Sequence, residues 1–188
     1  LVCESGLVPE SFDLVITTTP PLQAARILET TQTPLIEQLN TLRPEGCWSL
    51  MLVTAKPLDI APLLTPQDSL IERVVSEHSK DRLINDWGVY TIQANRPWSQ
   101  HHIDEDPIVI GEKMLNELSR LSHERPSIVF QRMHRWLYAG VEEPLGEAFL
   151  LDTQRNLMCA GDWCLGNDIT SALSSADAAS SKAIHMLC

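Results

Sequence analysis

The stretch Leu157-Met158-Cys159-Ala160-Gly161-Asp162-Trp163-Cys164-Leu165-Gly166-Asn167-Asp168-Ile169-Thr170-Ser171-Ala172-Leu173 decides how this chain is read. It opens as an apolar strand over 156–163, turns at its glycines and enters an alanine-rich helix. The first N–H groups of a helix have no partner within it. A strand that runs through Gly161 and Asp162 into such a helix start is one way to hold a phosphate- or ribityl-bearing ligand. Asp162 carries two compatible readings: a turn residue capping the last helix, or an acceptor for ribose or ribityl hydroxyls.

Working outward, residues 169–187 form the last helix, whose Ala172, Ala176, Ala179 and Ala183 give a small-residue face for close approach to a sheet. Upstream, 127–138 reads as a long strand. Along it Arg132, His134, Trp136 and Tyr138 share one face, while Met133, Arg135 and Leu137 share the other. That cationic, aromatic face suits a planar anionic ligand; an amphipathic edge strand with Trp136 in the core fits the spacing equally. Asp106 and Pro107 start a helix over 106–122 with Ile110, Met114, Leu118 and Leu121 on one stripe. Thr33 and Pro34 start another, lined by Leu35, Leu39 and Leu42 and stopped by Pro44 and Gly46. A short helix is expected at 22–28, and strands at 12–19, 47–55, 70–75, 88–94 and 149–151. The longest linker is 139–148. The order of elements points to an α+β fold, a mixed sheet flanked by helices.

The 188 residues are 44% hydrophobic and carry a net charge of -11, which disfavours nucleic acid and anionic membrane surfaces as partners. There is no apolar run long enough to span a bilayer and no signal-peptide pattern at the start. Five cysteines, Cys3, Cys47, Cys159, Cys164 and Cys188, form no CxxC pair and suit inert thiols in a reducing cytoplasm. A chain that begins Leu1-Val2-Cys3 and soon meets an apolar strand reads as a fragment.

Several motifs are excluded. Gly161 and Gly166 have the glycine spacing of a phosphate-binding loop, but Asn167-Asp168 stands where Lys-Ser/Thr is required. No GxGxxG occurs, so a complete dinucleotide site cannot be read from these residues alone. His101, His102, Asp104 and Glu105 lack a second ligand pair for a metal, and no metal is expected. No GxSxG elbow is present.

The segments 12–15 through 20–24, Cys47-Trp48-Ser49-Leu50-Met51-Leu52, Trp98-Ser99-x-x-His102, His134-Arg135-Trp136-x-Tyr138-Ala139, Pro144-Leu145-Gly146 and Gly161-Asp162-Trp163-Cys164-x-Gly166 occur in order along nearly the whole chain. Together they resemble the C-terminal part of renalase-like FAD-dependent oxidoreductases, relatives of the flavin-containing amine oxidases. Leu137 departs from the basic residue usual after the tryptophan. Two tyrosines are too few for an evident aromatic cage.

The resemblance implies a two-domain FAD- and NAD(P)-binding flavoprotein whose glycine-rich segment lies ahead of these residues. Residues 1–28 are then a remnant of the Rossmann-type FAD domain, 29–155 the substrate domain, and 156–188 the strand and helix that complete the FAD site. It places Gly161 and Asp162 by the pyrophosphate and ribityl chain, and the backbone of Ile169, Thr170 and Ser171 near the flavin ring. Arg135, Trp136 and Tyr138 become the substrate-side candidates. The implied reaction takes a hydride from a small molecule, a dihydronicotinamide isomer or an amine, onto flavin and then to oxygen. The fragment alone is expected to be inactive and cytoplasmic, with a homodimer formed through exposed edges. The alternative is a noncatalytic α+β binding module on the same scaffold.

Overall fold

The computed structural model describes residues 2–3, 6–7, 11–80 and 86–188. In chain order its elements are β1 (Val2–Cys3), β2 (Gly6–Leu7), β3 (Val15–Thr17), α1 (Pro21–Ile27), α2 (Leu35–Thr41), β4 (Pro44–Thr54), β5 (Leu63–Leu64), β6 (Ile71–Ser76), β7 (Gly88–Ala94), α3 (Arg96–His101), α4 (Pro107–Ser122), β8 (Ile128–Val141), β9 (Leu150–Asp152), β10 (Leu157–Cys159) and α5 (Ile169–Leu187). Single 3-10 turns lie at Glu29–Thr31, Glu77–Lys80 and Asp162–Cys164. The chain divides into one unit of Leu1–Pro44 with Gly140–Cys188 and another of Glu45–Ala139. Residues 29–44 and 140–155 thus lie in the same unit as β3, β10 and α5. The architecture is mixed α+β, with sheets flanked by helices.

In the first unit β10 is the middle strand, parallel to β3 through Leu157↔Val15, Met158↔Ile16 and Cys159↔Thr17, and antiparallel to β9. Strand alternation sorts its side chains to two helical layers. Leu157 and Cys159 join Ala24, Ala25 and Leu28 of the α1 region and Leu35 and Leu39 of α2. Met158 turns the other way, onto Ala179 of α5 with Leu14, Phe149 and Leu151. Thr33 does not sit at the usual cap position of α2. Pro34 occupies it, and the buried Thr33 hydroxyl donates to Asp152 Oδ2 at 2.7 Å while lying 3.4 Å from Leu35 N. The strand expected at 156–163 ends at Cys159, because residues 162–164 wind into a 3-10 turn that buries Trp163 and Cys164. The strand expected at 127–138 runs on to Val141, which shortens the expected 139–148 linker.

The second unit is a five-stranded sheet in the order β5-β6-β7-β4-β8. The β4–β7 register, Ser49↔Gln93 through Thr54↔Gly88, puts Leu50, Leu52, Tyr90 and Ile92 on one face. That face packs against Ile110, Met114 and Leu118 of α4, as the helical stripe requires. Asp106 Oδ1 accepts from Ile108 N at 2.7 Å and caps α4. Residues 96–101 form a short helix: Asn95 Oδ1 accepts from Trp98 N at 2.8 Å and starts α3. His101 closes that helix, and His102 Nδ1 pairs with the Glu105 carboxylate, itself held by Lys113 Nζ at 2.8 Å.

Among the described residues no helix is long and apolar enough to cross a membrane.

Candidate functional site

The parallel pair β3–β10 has a defined carboxyl end, and in open α/β sheets that is where ligands collect. Just beyond it, Thr18, Gly161 and Asp162 line a groove with Ile16 on β3 and Ala172 and Ala176 on α5. The groove holds about 350 Å³ and is mainly apolar. Its size is that of a small-ligand pocket.

Gly161 has φ 166° and ψ 174°, an extended backbone open to any residue. Its lack of a side chain has a packing cause: a Cβ there would lie 2.4 Å from Trp163 Nε1. Trp163 Nε1 in turn donates to Thr19 O at 3.2 Å. Gly161 N–H donates to Ser175 Oγ at 3.0 Å, and the fully buried Ser175 passes its own proton to Ala148 O at 2.6 Å. Asp162 Oδ1 accepts from Trp163 N at 2.9 Å, and its carbonyl accepts from Leu165 N and Gly166 N. The second carboxylate oxygen retains acceptor capacity, and Asp162 is among the residues lining the groove.

Asp162 therefore closes the 3-10 turn and does not cap α5. That role belongs to Asp168, whose Oδ1 accepts from Ser171 N at 2.7 Å. The Ser171 and Thr170 backbone N–H groups hold the Asp168 carboxyl below the usual range. The start of α5 is thus already served by a carboxylate, and an external anion would compete with it. Thr170 and Ile169 are exposed at this end, Ile169 by 74%. Asn167 clamps the approach to the helix, bonding both the N–H and the carbonyl of Val141. The Pro144-Leu145-Gly146 segment is strapped to the same turn, Leu145 N to Trp163 O and Gly146 N to Cys164 O. Neither tie is marked by a sequence pattern, because each joins segments about twenty residues apart.

Cys159 and Cys164 are buried beneath this turn. Burial pushes the Cys159 thiol up to about 12, with Cys164 adding to it, and raises Cys164 as well. In the second unit burial likewise raises Cys47. These three thiols stay protonated and inert at neutral pH; the side chain of Cys3 lies outside the described residues.

The substrate-side candidates lie on β8, an edge strand of the second unit. Arg135 and Trp136 point to opposite faces. Arg135 stacks over the Trp48 ring at 5.8 Å and donates to Ile103 O at 2.9 Å, on the α4 side of the sheet. Trp136 is 52% exposed rather than in the core, and its ring meets His134 edge to face at 4.2 Å. Tyr138 is half-buried. His134 thus joins Trp136 as a ring-binding candidate. Ser49, on the face of β4 away from α4, has a buried Oγ without a hydrogen-bond partner.

No protein-family model matches the chain, and no curated protein matches it. Solved structures do, among them the following two. A crystal structure named "putative protoporphyrinogen oxidase", from Exiguobacterium sp. 255-15, superposes with TM-score 0.70 over 97% of this chain at 17% identity. An oxidoreductase from Methanosarcina mazei superposes with TM-score 0.61 over 88% at 16% identity. The scaffold is one that oxidoreductases use. The chain spans less than half the length of either structure, 43% and 42% respectively.

Proposed function

We propose that these residues are part of a renalase-like FAD-dependent oxidoreductase, with 1–28 and 156–188 holding the cofactor and 29–155 the substrate. The observation that carries this reading is the groove at the carboxyl end of β3 and β10, ending on Gly161 and Asp162. The residues fit half of the group. An apolar groove accepts a ring or alkyl chain, and the free Asp162 oxygen accepts from a ribose or ribityl hydroxyl. Phosphate donors are scarce here, since the N–H groups of Gly161 and Ser171 are already engaged. A glycine-rich segment outside these residues would supply them.

When bound, FAD supplies a hydride acceptor that oxygen then reoxidises, releasing hydrogen peroxide. The chain's own residues bind and orient. Asp162 fixes the hydroxyl-bearing chain, and the exposed backbone at Ile169 and Thr170 would lie near the flavin ring. On the substrate side Trp136 and His134 present a ring platform for a dihydronicotinamide isomer or an amine, with Arg135 behind the strand and Tyr138 at its end. The 188 residues alone bind FAD weakly at most and do not turn over. The buried, unpaired thiols suit a cytoplasmic setting.

FAD titrated into the chain, followed by flavin fluorescence, should show weak saturable binding that Asp162→Ala removes, with no peroxide formed. Saturable binding that is indifferent to Asp162→Ala refutes the cofactor assignment. A stoichiometrically yellow chain with oxidase activity refutes its incompleteness. One observation favours a noncatalytic module instead: the turn's polar groups at Gly161 and Ser171 are satisfied internally without a ligand. The same titration separates the two.

A further inference from the structure

The five-stranded sheet packs one face against α4 and carries polar side chains on the other. Tyr90, Ile92 and Ala94 of β7 fill the α4 side, so Thr91 and Gln93 stand on the opposite one. Ser49 of β4 is the cross-strand partner of Gln93, and Arg73 of β6 flanks Gln93 on its other side. Beyond β4 lies β8. Ala55 N donates to Ser127 O and Glu142 N to Arg43 O, both at 2.9 Å, so these two strands run antiparallel. Counting inward from each tie sets Ser49 across from residues 133–136, and within that segment His134 and Trp136 share its face. One row of side chains thus crosses the sheet: a guanidinium, a primary amide, a hydroxyl, then two rings in edge-to-face contact.

The charged groups on and around this face are already paired. Arg73 holds Glu72 at 2.7 Å, Lys80 and Thr91 both donate to Glu77, and Arg96 lies 3.6 Å from Glu45. The Cys47 thiol, beside Ser49, directs its proton to the carbonyls of Trp48 and Ala94. Among the described residues two adjacent groups are left over: the hydroxyl of Ser49, a residue only 4% exposed, and the half-buried Gln93 amide. A buried polar group without a partner carries a desolvation cost that a matching ligand group recovers. We infer that Gln93 reads a primary carboxamide on a planar ring substrate lying on His134 and Trp136, and that Ser49 positions Gln93. The inference rests on the substrate-side assignment of β8 made above. A carboxamide and the Gln93 amide each give one N–H and take one with the carbonyl, a reciprocal pair. The second lone pair of Gln93 Oε1 is then free for the Ser49 hydroxyl, which fixes the sense of the amide. An amine finds no such match, since Glu45, Glu72 and Glu77 each hold a cation already. Of the two substrate classes, the face selects the amide-bearing ring.

The test is to titrate nicotinamide, benzylamine and benzoate separately into the flavin-free chain, read by NMR at the Gln93 side-chain amide and the Trp136 indole. Nicotinamide should shift both signals with a dissociation constant of about 1–10 mM, the range open to so small a ligand. Benzylamine and benzoate should bind about tenfold more weakly or worse. Gln93→Leu should weaken nicotinamide about tenfold or more, and Gln93→Glu should turn the preference toward benzylamine. Ser49→Ala should weaken nicotinamide about fivefold yet leave the urea midpoint unchanged or higher, because it removes a hydroxyl that the free chain does not satisfy. Three results overturn the assignment: no saturation by nicotinamide at about 100 mM, equal binding of benzylamine or benzoate, or a constant that Gln93→Leu does not move. A lower midpoint in Ser49→Ala overturns the role of Ser49. Flavin is absent throughout, so failure here leaves the FAD titration standing, and a chain that fails to bind FAD can still pass.

Discussion

Gly161 shows how a residue can be read for the right place and the wrong reason. A glycine between strand and helix suggests close approach of a ligand to the backbone, yet here the approaching group is the chain's own Trp163 ring. That ring is buried and tied to Thr19, so it cannot swing away as the end of a flexible chain would. Gly161→Ala should therefore cost about 1–3 kcal/mol of overpacking, measured as a lower urea midpoint with an unchanged m-value. An equally stable variant would mean that the tryptophan yields freely and that the glycine serves only a ligand. The aspartates follow the same lesson. Asp162 and Asp168 are indistinguishable as cap candidates in sequence, and only the 3-10 turn at 162–164 shows that the second of them starts α5.

At the scale of elements, the legible ones carry their own boundary chemistry. The helix read at 106–122 is observed as Pro107–Ser122, because Asp106 caps it, Pro107 fixes its first turn and its stripe meets a sheet. The strand at 88–94 and the helix at 169–187 are seen over the same residues. The short α3 escapes because six residues are too few for an apolar stripe, although Asn95 and Pro97 mark its start locally. The two-residue β5 is too short for any periodicity. The division into units falls at Pro44–Glu45 and Ala139–Gly140, within or beside the continuous strands β4 and β8, so Pro44, Gly46 and Gly140 read locally as a helix stop and a strand end rather than as a boundary between units.

The join between α2 and β9 is equally hidden in sequence, since Thr33 and Asp152 are 119 residues apart. The Thr33 hydroxyl, then Arg155, holds the Asp152 carboxyl below its usual value. A carboxylate with a lowered folded pKa adds stability that is complete above its unfolded pKa, about 3.9, and is lost as pH falls through the folded one. Thr33→Val should lower the Tm by about 3–6 °C at pH 7. The gap between wild type and variant should hold down to about pH 5 and narrow below pH 4. A gap independent of pH would show that Thr33 acts through packing alone.

For the whole molecule, the cores are the informative feature. The clusters around Leu39 and Met158 belong to the first unit and that around Leu50 and Ile92 to the second, with no buried residue shared. Stability should therefore be divisible. Leu39→Ala removes a fully buried side chain from the layer between α2 and β10. It should cost the first unit about 2–5 kcal/mol. Amide exchange under native conditions reads this directly. The amides of Val15–Thr17 and Leu157–Cys159 should exchange about 30-fold faster or more, while those of Tyr90 and Ile92 stay within about twofold of wild type. Equal acceleration at Tyr90 would show one cooperative block, and the groove on β3 and β10 could then not be reshaped without disturbing the sheet that carries Trp136.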